Sequence, residues 1–247
     1  MGPIRQTDDP MTGFDEQIQQ YFPGAVPSGV FLNRVWNATE ELGFTVDTTL
    51  PLISICRDEL TTDFFARIQA IWGPAFTLAG LGGVPALGRT GWGAAFSHIP
   101  DTEGRGKVLV LGFPHIGIED DGSVGVTLRS GQSVPTATCG ALNAIYERSC
   151  AGTLPTEIDL DDYEETRLAL RLVDPAQPPS SLVDLTIATL EALEIDLWKA
   201  LDDARIWEHA DVAVFCGVQI HGHGGADWVW PRDAWTCGSD GTRRPID

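Results

Sequence analysis

No stretch of the 247 residues reaches the roughly 18 consecutive apolar positions that a membrane-spanning helix needs, so the sequence predicts no transmembrane segment. Residues 1–10 lack the apolar core of a secretory signal. Basic residues are scarce: 16 Lys and Arg stand against 35 Asp and Glu, a formal net charge of −19. Such a surface repels nucleic-acid phosphates and anionic lipid, which argues against both as partners. Cysteine is sparse and odd in number, with five at positions 56, 139, 150, 216 and 237. A secreted disulfide framework is denser and even-numbered, so a reducing cytoplasm with free thiols is the expected setting. No C-x-x-C occurs, and the glycine-rich residues 80–93 lack the Lys-Ser/Thr that completes a phosphate loop. Internal repeats and low-complexity linkers are also missing.

What is present describes an ordinary globular chain with a substantial core, 43% apolar and 21% charged. Residues 1–27, rich in Pro, Gly and Gln, read as an irregular arm ahead of one domain over 28–247. Phe31, Val35, Thr39 and Leu42 recur at helical spacing, and a second helix fits residues 59–72. Residues 50–56 and 107–113 read as buried strands, and 211–220 as a third. Glu119 to Ser123 reads as a turn leading into a strand over 124–128, which predicts a hairpin. Cys139 opens a helix to about Arg148. Two acidic amphipathic helices follow over 157–172 and 181–208, the second with a Ser181/Asp184 capping box and a Leu stripe through 182, 185, 190, 193, 197 and 201. Six glycines within residues 80–93 exclude a regular helix or strand there and predict a tight wall of a site or a subunit contact.

Three residues stand where a metal could be held. Cys56 and His115 each end an apolar run of strand length, and Cys139 stands at a helix start, where partial positive charge favours thiolate. Two Cys and one His leave a tetrahedral Zn²⁺ with one open position, the pattern of catalytic sites. A rival cluster is Cys216, His221 and His223. On a strand the two His share a face and Cys216 points the other way, and the glycine-rich context suits a surface loop. His98 is either a proton shuttle or a turn residue. The same Cys56, Cys139 and His115 also suit a thiol enzyme with His as base and Asp58 as its orienter.

Several short motifs occur in order: Cys-Arg-Asp-Glu at 56–59, Gly-Leu-Gly-Gly-Val-Pro at 80–85, Thr-Gly-Trp-Gly at 90–93, Ser-His-Ile-Pro-Asp at 97–101, Phe-Pro-His-Ile-Gly-Ile at 113–118, Cys-Gly-Ala at 139–141 and Gly-Val-Gln-Ile at 217–220. Together they resemble the low-CO₂-inducible protein B (LCIB-like) family, a relative of the β-carbonic anhydrases called the θ class. The resemblance covers about Phe31 to Trp235. It implies an α/β fold with a mostly parallel central sheet flanked by helices, a homodimer, and Zn²⁺ on Cys56, His115 and Cys139. The activity implied is reversible hydration of CO₂ to bicarbonate, with Asp58 as the catalytic carboxylate. β-Carbonic anhydrases place an Arg two residues after that Asp, where this chain has Leu60. Arg57, or else Arg89, is therefore expected to pair with Asp58. Some family members are inactive as isolated proteins, so a CO₂/bicarbonate-binding or partner-binding role is the alternative that the resemblance leaves.

Overall fold

The computed structural model describes residues 13–101 and 104–246. In place of an irregular arm, Gly13–Tyr21 forms a helix, α1, that buries Phe14 and Ile18; residues 1–12 lie outside the described chain. The chain continues through β1 (Val26–Pro27), α2 (Ser28–Glu41), β2 (Thr49–Ile55), α3 (Thr62–Trp72), β3 (Phe76–Thr77) and α4 (Arg89–Phe96). Next come β4 (Gly106–Phe113), β5 (His115–Gly117), β6 (Val126–Thr127), β7 (Thr136–Ala137), α5 (Gly140–Ala151), α6 (Tyr163–Leu172) and α7 (Leu182–Asp203). The long β8 (Ala210–His221) is followed by β9 (Asp227–Pro231), β10 (Ala234–Cys237) and β11 (Arg243–Ile246).

The heart of the sheet is parallel, in the order β8-β4-β2-β3. Beyond β8 the sheet turns antiparallel, through β9 and β1 along one part of the strand and β10 and β11 along another. Parallel strands covered on both faces read as continuous apolar runs, which is why β2 is buried at all seven positions. Alternation sorts those side chains into two cores. Leu50 and Leu52 of β2, Val108 and Val110 of β4, and Val212, Val214 and Val218 of β8 face the layer of α5, α6 and α7. Ile53, Ile55, Leu109, Leu111, Phe113 and Phe215 face α2 and α3, where Phe31, Phe64, Ile68 and Trp72 pack. The Leu stripe of α7 is buried as expected, and the Ser181 hydroxyl accepts the Asp184 amide at 3.0 Å. The result is a single α/β domain with helices on both faces of the sheet.

Three local expectations are corrected. Residues 157–162 are not helical: the Asp161 amide bonds the Asp159 carboxylate at 2.9 Å, a local bond that competes with helix, and α6 starts only at Tyr163. The 119–128 hairpin reduces to one bridge, Ile118 to Val124, because Gly125 (φ 83°) turns the chain and β6 pairs with β7 instead. Finally, part of the 80–93 segment is helical after all. α4 includes Gly91 and Gly93, and its Trp92 and Phe96 rings stack at 5.6 Å against the core, so packing overrides glycine's poor propensity.

The rest of the glycine segment packs against the ends of β2 and β4. The Ser54 hydroxyl of β2 donates to the Gly83 carbonyl at 2.7 Å, pinning the loop across the strand ends. Gly83 has φ 79°, and a Cβ there would lie 2.5 Å from the Phe113 carbonyl oxygen. Gly83→Ala combines a backbone clash with a left-handed non-glycine residue and is expected to cost about 3 kcal/mol. Thermal unfolding should register this as a midpoint lowered by roughly 6–12 °C.

Candidate metal centre

β4 is hydrogen-bonded on both edges, with Ile55 opposite Phe113 on one side and Cys216 opposite Gly112 on the other. Pro114 has no N–H and interrupts the strand, but its carbonyl accepts the Gln219 amide at 2.9 Å. β5 therefore resumes pairing with β8 in the same register, His115 opposite Gln219. Cys56 and His115 thus emerge at one level, just past the carboxyl ends of adjacent parallel strands, where open α/β sheets build their sites.

Cys139 arrives from the far side as the residue capping α5. Its backbone is left-handed (φ 51°, ψ 81°), a conformation that costs a non-glycine residue about 1–3 kcal/mol and persists where its surroundings impose it. Asn143 imposes it: its side-chain amide donates to the carbonyls of Gly125, Thr138 and Cys139 at 3.0, 2.9 and 3.1 Å. The three potential ligand atoms of Cys56, His115 and Cys139 lie within 4.8 Å of one another, and all three residues are buried.

Electrostatics favour a cation between them. Cys56 is held well below the ordinary thiol range, first by the Cys139 thiol and, against the cost of burial, by His115 and the Asp58 backbone. Cys139 is pushed up correspondingly by Cys56 and by burial, so the two sulfurs share a proton that a metal would displace. His115 is fully buried, and its Nε2 has no hydrogen-bond partner among the described residues. Its Nδ1 lies 3.1 Å from Nε2 of His221, with the rings edge-to-face at 5.2 Å. Burial, and then the charges of His115 and Arg129, hold His221 well below the usual imidazole range. Two sulfurs and one orphaned imidazole nitrogen in a dry site are a donor set that fits zinc, with one tetrahedral position left over.

Asp58 sits beside this cluster with both oxygens engaged. Oδ1 accepts the Leu60 amide at 3.1 Å, capping a short 3₁₀ turn over Glu59–Thr61, and Oδ2 pairs with Arg129 at 2.9 Å. Burial pushes the carboxyl up, while the Leu60 amide, His115 and Arg129 pull it down. The expected partner was Arg57 or Arg89, and neither takes that place. Arg57 turns outward, half-exposed, to pair with Glu164. Arg89 lines a separate surface cavity with Trp92 and Arg167. Arg129 comes instead from the loop after β6. It also pairs with Glu59 at 2.5 Å and bonds the Thr136 hydroxyl at 2.7 Å. Nothing in local spacing marks Arg129, 71 residues from Asp58.

The other candidates fall away from the site. Cys216 is buried on β8 beside Gly112 and Leu193, its thiol pushed up by burial. His221 turns to His115, so the described members of the rival cluster do not converge; the side chain of His223 lies outside the described residues. His98 is a turn residue after α4, its ring 5.6 Å from that of Phe76. The Phe113 ring packs between Phe31 and Phe64. Beside the cluster a cavity of about 680 Å³ opens, lined by Leu60, Leu128, Arg129, His221 and Asp227 among others.

Compared with known proteins, residues 25–237 match the family described as limiting CO₂-inducible proteins B/C beta carbonic anhydrases. Among solved structures, the limiting CO₂-inducible protein LCIB is 30% identical, with a TM-score of 0.73 over 92% of this chain and 96% of its own. PtLCIB4, a homolog of LCIB, is 24% identical, with a TM-score of 0.79 over 94% of this chain and 98% of its own, a likeness of fold. A comparison with curated proteins finds no match. By the span of the family match and the identity to LCIB, this chain belongs to the limiting CO₂-inducible protein B/C family.

Proposed function

We propose that the protein is a zinc-dependent carbonic anhydrase, interconverting CO₂ and bicarbonate, and that it works as a homodimer. The observation that carries this reading is the convergence of the Cys56, Cys139 and His115 ligand atoms within 4.8 Å around an unpartnered imidazole nitrogen. Family membership supplies the substrate class. A zinc ion held by these three residues would supply Lewis-acid activation of a water.

The chain's own residues do the rest. Cys56 and Cys139 provide the charge that makes the site specific for a cation. Asp58, fixed through both oxygens, accepts a hydrogen bond from the reacting water and selects its orientation. Burial raises that carboxyl, and Arg129 pairs with it and, with the Leu60 amide and His115, pulls the other way, taking the place expected for Arg57 or Arg89. A second reading, a cysteine nucleophile with His115 as base, draws on the lowered Cys56 thiol. It fits less well, because that shift comes chiefly from a second buried thiol and Cys56 is only 6% exposed. No helix among the described residues is long and apolar enough to cross a membrane.

Metal analysis of purified protein is expected to give about one zinc per chain, the stoichiometry of a single three-ligand site. Cys56→Ser and Cys139→Ser should each lose it. Activity that persists in chelator and is abolished by iodoacetamide would select the thiol enzyme instead.

Stopped-flow CO₂ hydration tests the chemistry. Asp58→Asn retains the Oδ1 cap but loses the charged partner of Arg129, so turnover is expected to fall about 10²-fold with zinc content unchanged. Arg129→Ala should fall in the same direction, and Arg57→Ala should stay near wild type. Zinc-loaded protein with no rate above buffer would leave a CO₂- or bicarbonate-binding role in place of catalysis.

A further inference from the structure

His221 is a buried imidazole that the proposed chemistry does not use. It ends β8, opposite Gly117 of β5 on one side and Asp227 of β9 on the other, so its backbone is fixed from both edges. It stands two residues beyond Gln219, the position opposite His115, on the same face of the strand. That placement brings its Nε2 to 3.1 Å from Nδ1 of His115.

One proton lies in a hydrogen bond between two ring nitrogens, and its position decides what His115 can do. If His221 donated it, the proton of neutral His115 would sit on Nε2, which has no hydrogen-bond partner among the described residues, and a cation could not bind there. If His115 donates from Nδ1, its Nε2 keeps a free lone pair facing the two cysteines. The surroundings of His221 favour the second arrangement. The oxygen of Asp227 lies 3.9 Å from Nδ1 of His221, too far for a hydrogen bond but on the side where a ring proton is then required. Asp227 is held there by the Gln219 amide at 2.9 Å and by Arg67.

We propose that His221 is the positioning residue of the metal centre: its Nε2 accepts the Nδ1 proton of His115, fixing the tautomer and the ring so that Nε2 of His115 is left bare for the cation. The inference rests on the zinc-site reading above. Partners of metal-bound histidines are typically carboxylates or carbonyls and are worth about 10–100-fold in metal affinity. A second imidazole can do the same work here because it is buried and its backbone is paired on both strand edges.

The test is zinc affinity, measured by competition with a chromophoric chelator, alongside thermal unfolding of the metal-free proteins. His221→Leu removes the acceptor at similar bulk and is expected to weaken zinc binding about 10–100-fold. His221→Gln, whose side-chain oxygen can still accept, should recover most of that loss. Wild-type affinity in His221→Leu, or equal loss in both variants, overturns the inference. Should His221→Leu fail to fold, His221→Gln decides alone, and a loss of tenfold or more counts against the proposal. Cys56→Ser is the control that separates the two readings. Zinc bound equally by wild type and Cys56→Ser removes the site itself, and the inference with it. Tight wild-type binding, weak binding by Cys56→Ser and tight binding by His221→Leu remove only the role of His221.

Discussion

Because β4 is hydrogen-bonded along both edges, to β2 and to β8, it cannot slide without breaking two parallel ladders and exchanging the faces of two cores. Everything at the site inherits that fixed register. Cys56 leaves β2 where β4 ends, His115 follows Pro114 at the same level, and His221 lies two residues past the position opposite His115 on β8. The glycine loop is pressed against the same end of β4, where Gly83 meets the Phe113 carbonyl and Ser54. Only Cys139 and Arg129 come from outside the ladder. Each is fixed by its own hydrogen bonds, Cys139 through Asn143 and Arg129 through Asp58, Glu59 and Thr136.

Charge at this point is arranged in two adjoining pieces. Two sulfurs compete for a proton in a dry pocket, a state relieved by any cation that can replace it. Next to them, Asp58 and Glu59 share one guanidinium, so Arg129 is tied to the carboxylates and not free to sit over the sulfurs. An ion pair of this kind contributes little to stability when exposed, but both Asp58 and Arg129 are largely buried, where geometry matters more than screening.

Much of this was legible in the sequence, and the parts that were not have physical causes. Apolar runs ending in Cys56 and His115 announced themselves because parallel strands buried on both faces need unbroken hydrophobicity. The Leu stripe of α7 and its Ser181 cap were visible for the matching helical reason. Arg129 left no signal, because it reaches Asp58 across a loop whose path depends on tertiary contacts and not on any period. His221 was masked by its neighbours: His-Gly-His-Gly-Gly at 221–225 reads as loop, yet β8 runs on to His221 because β5 and β9 both pair with its last residues. The helix α4 was missed for a similar reason, since Trp92 and Phe96 outweigh the two glycines within it.

The placement of β8 also dictates a schedule. Its residues come late in the chain, yet it is the strand on which β4 and β5 both rest, and it carries the partner of His115. A growing polypeptide on the ribosome can form β2, β4 and α5, with Cys56, His115 and Cys139 all synthesised, and still lack the edge that orders them. Contacts this distant in sequence form slowly, since the closure entropy falls due before the pairing rewards it. The site is thus completed only when folding of the whole domain is nearly done, and a nascent chain carries its thiols and imidazole without the framework that would make them one binding site.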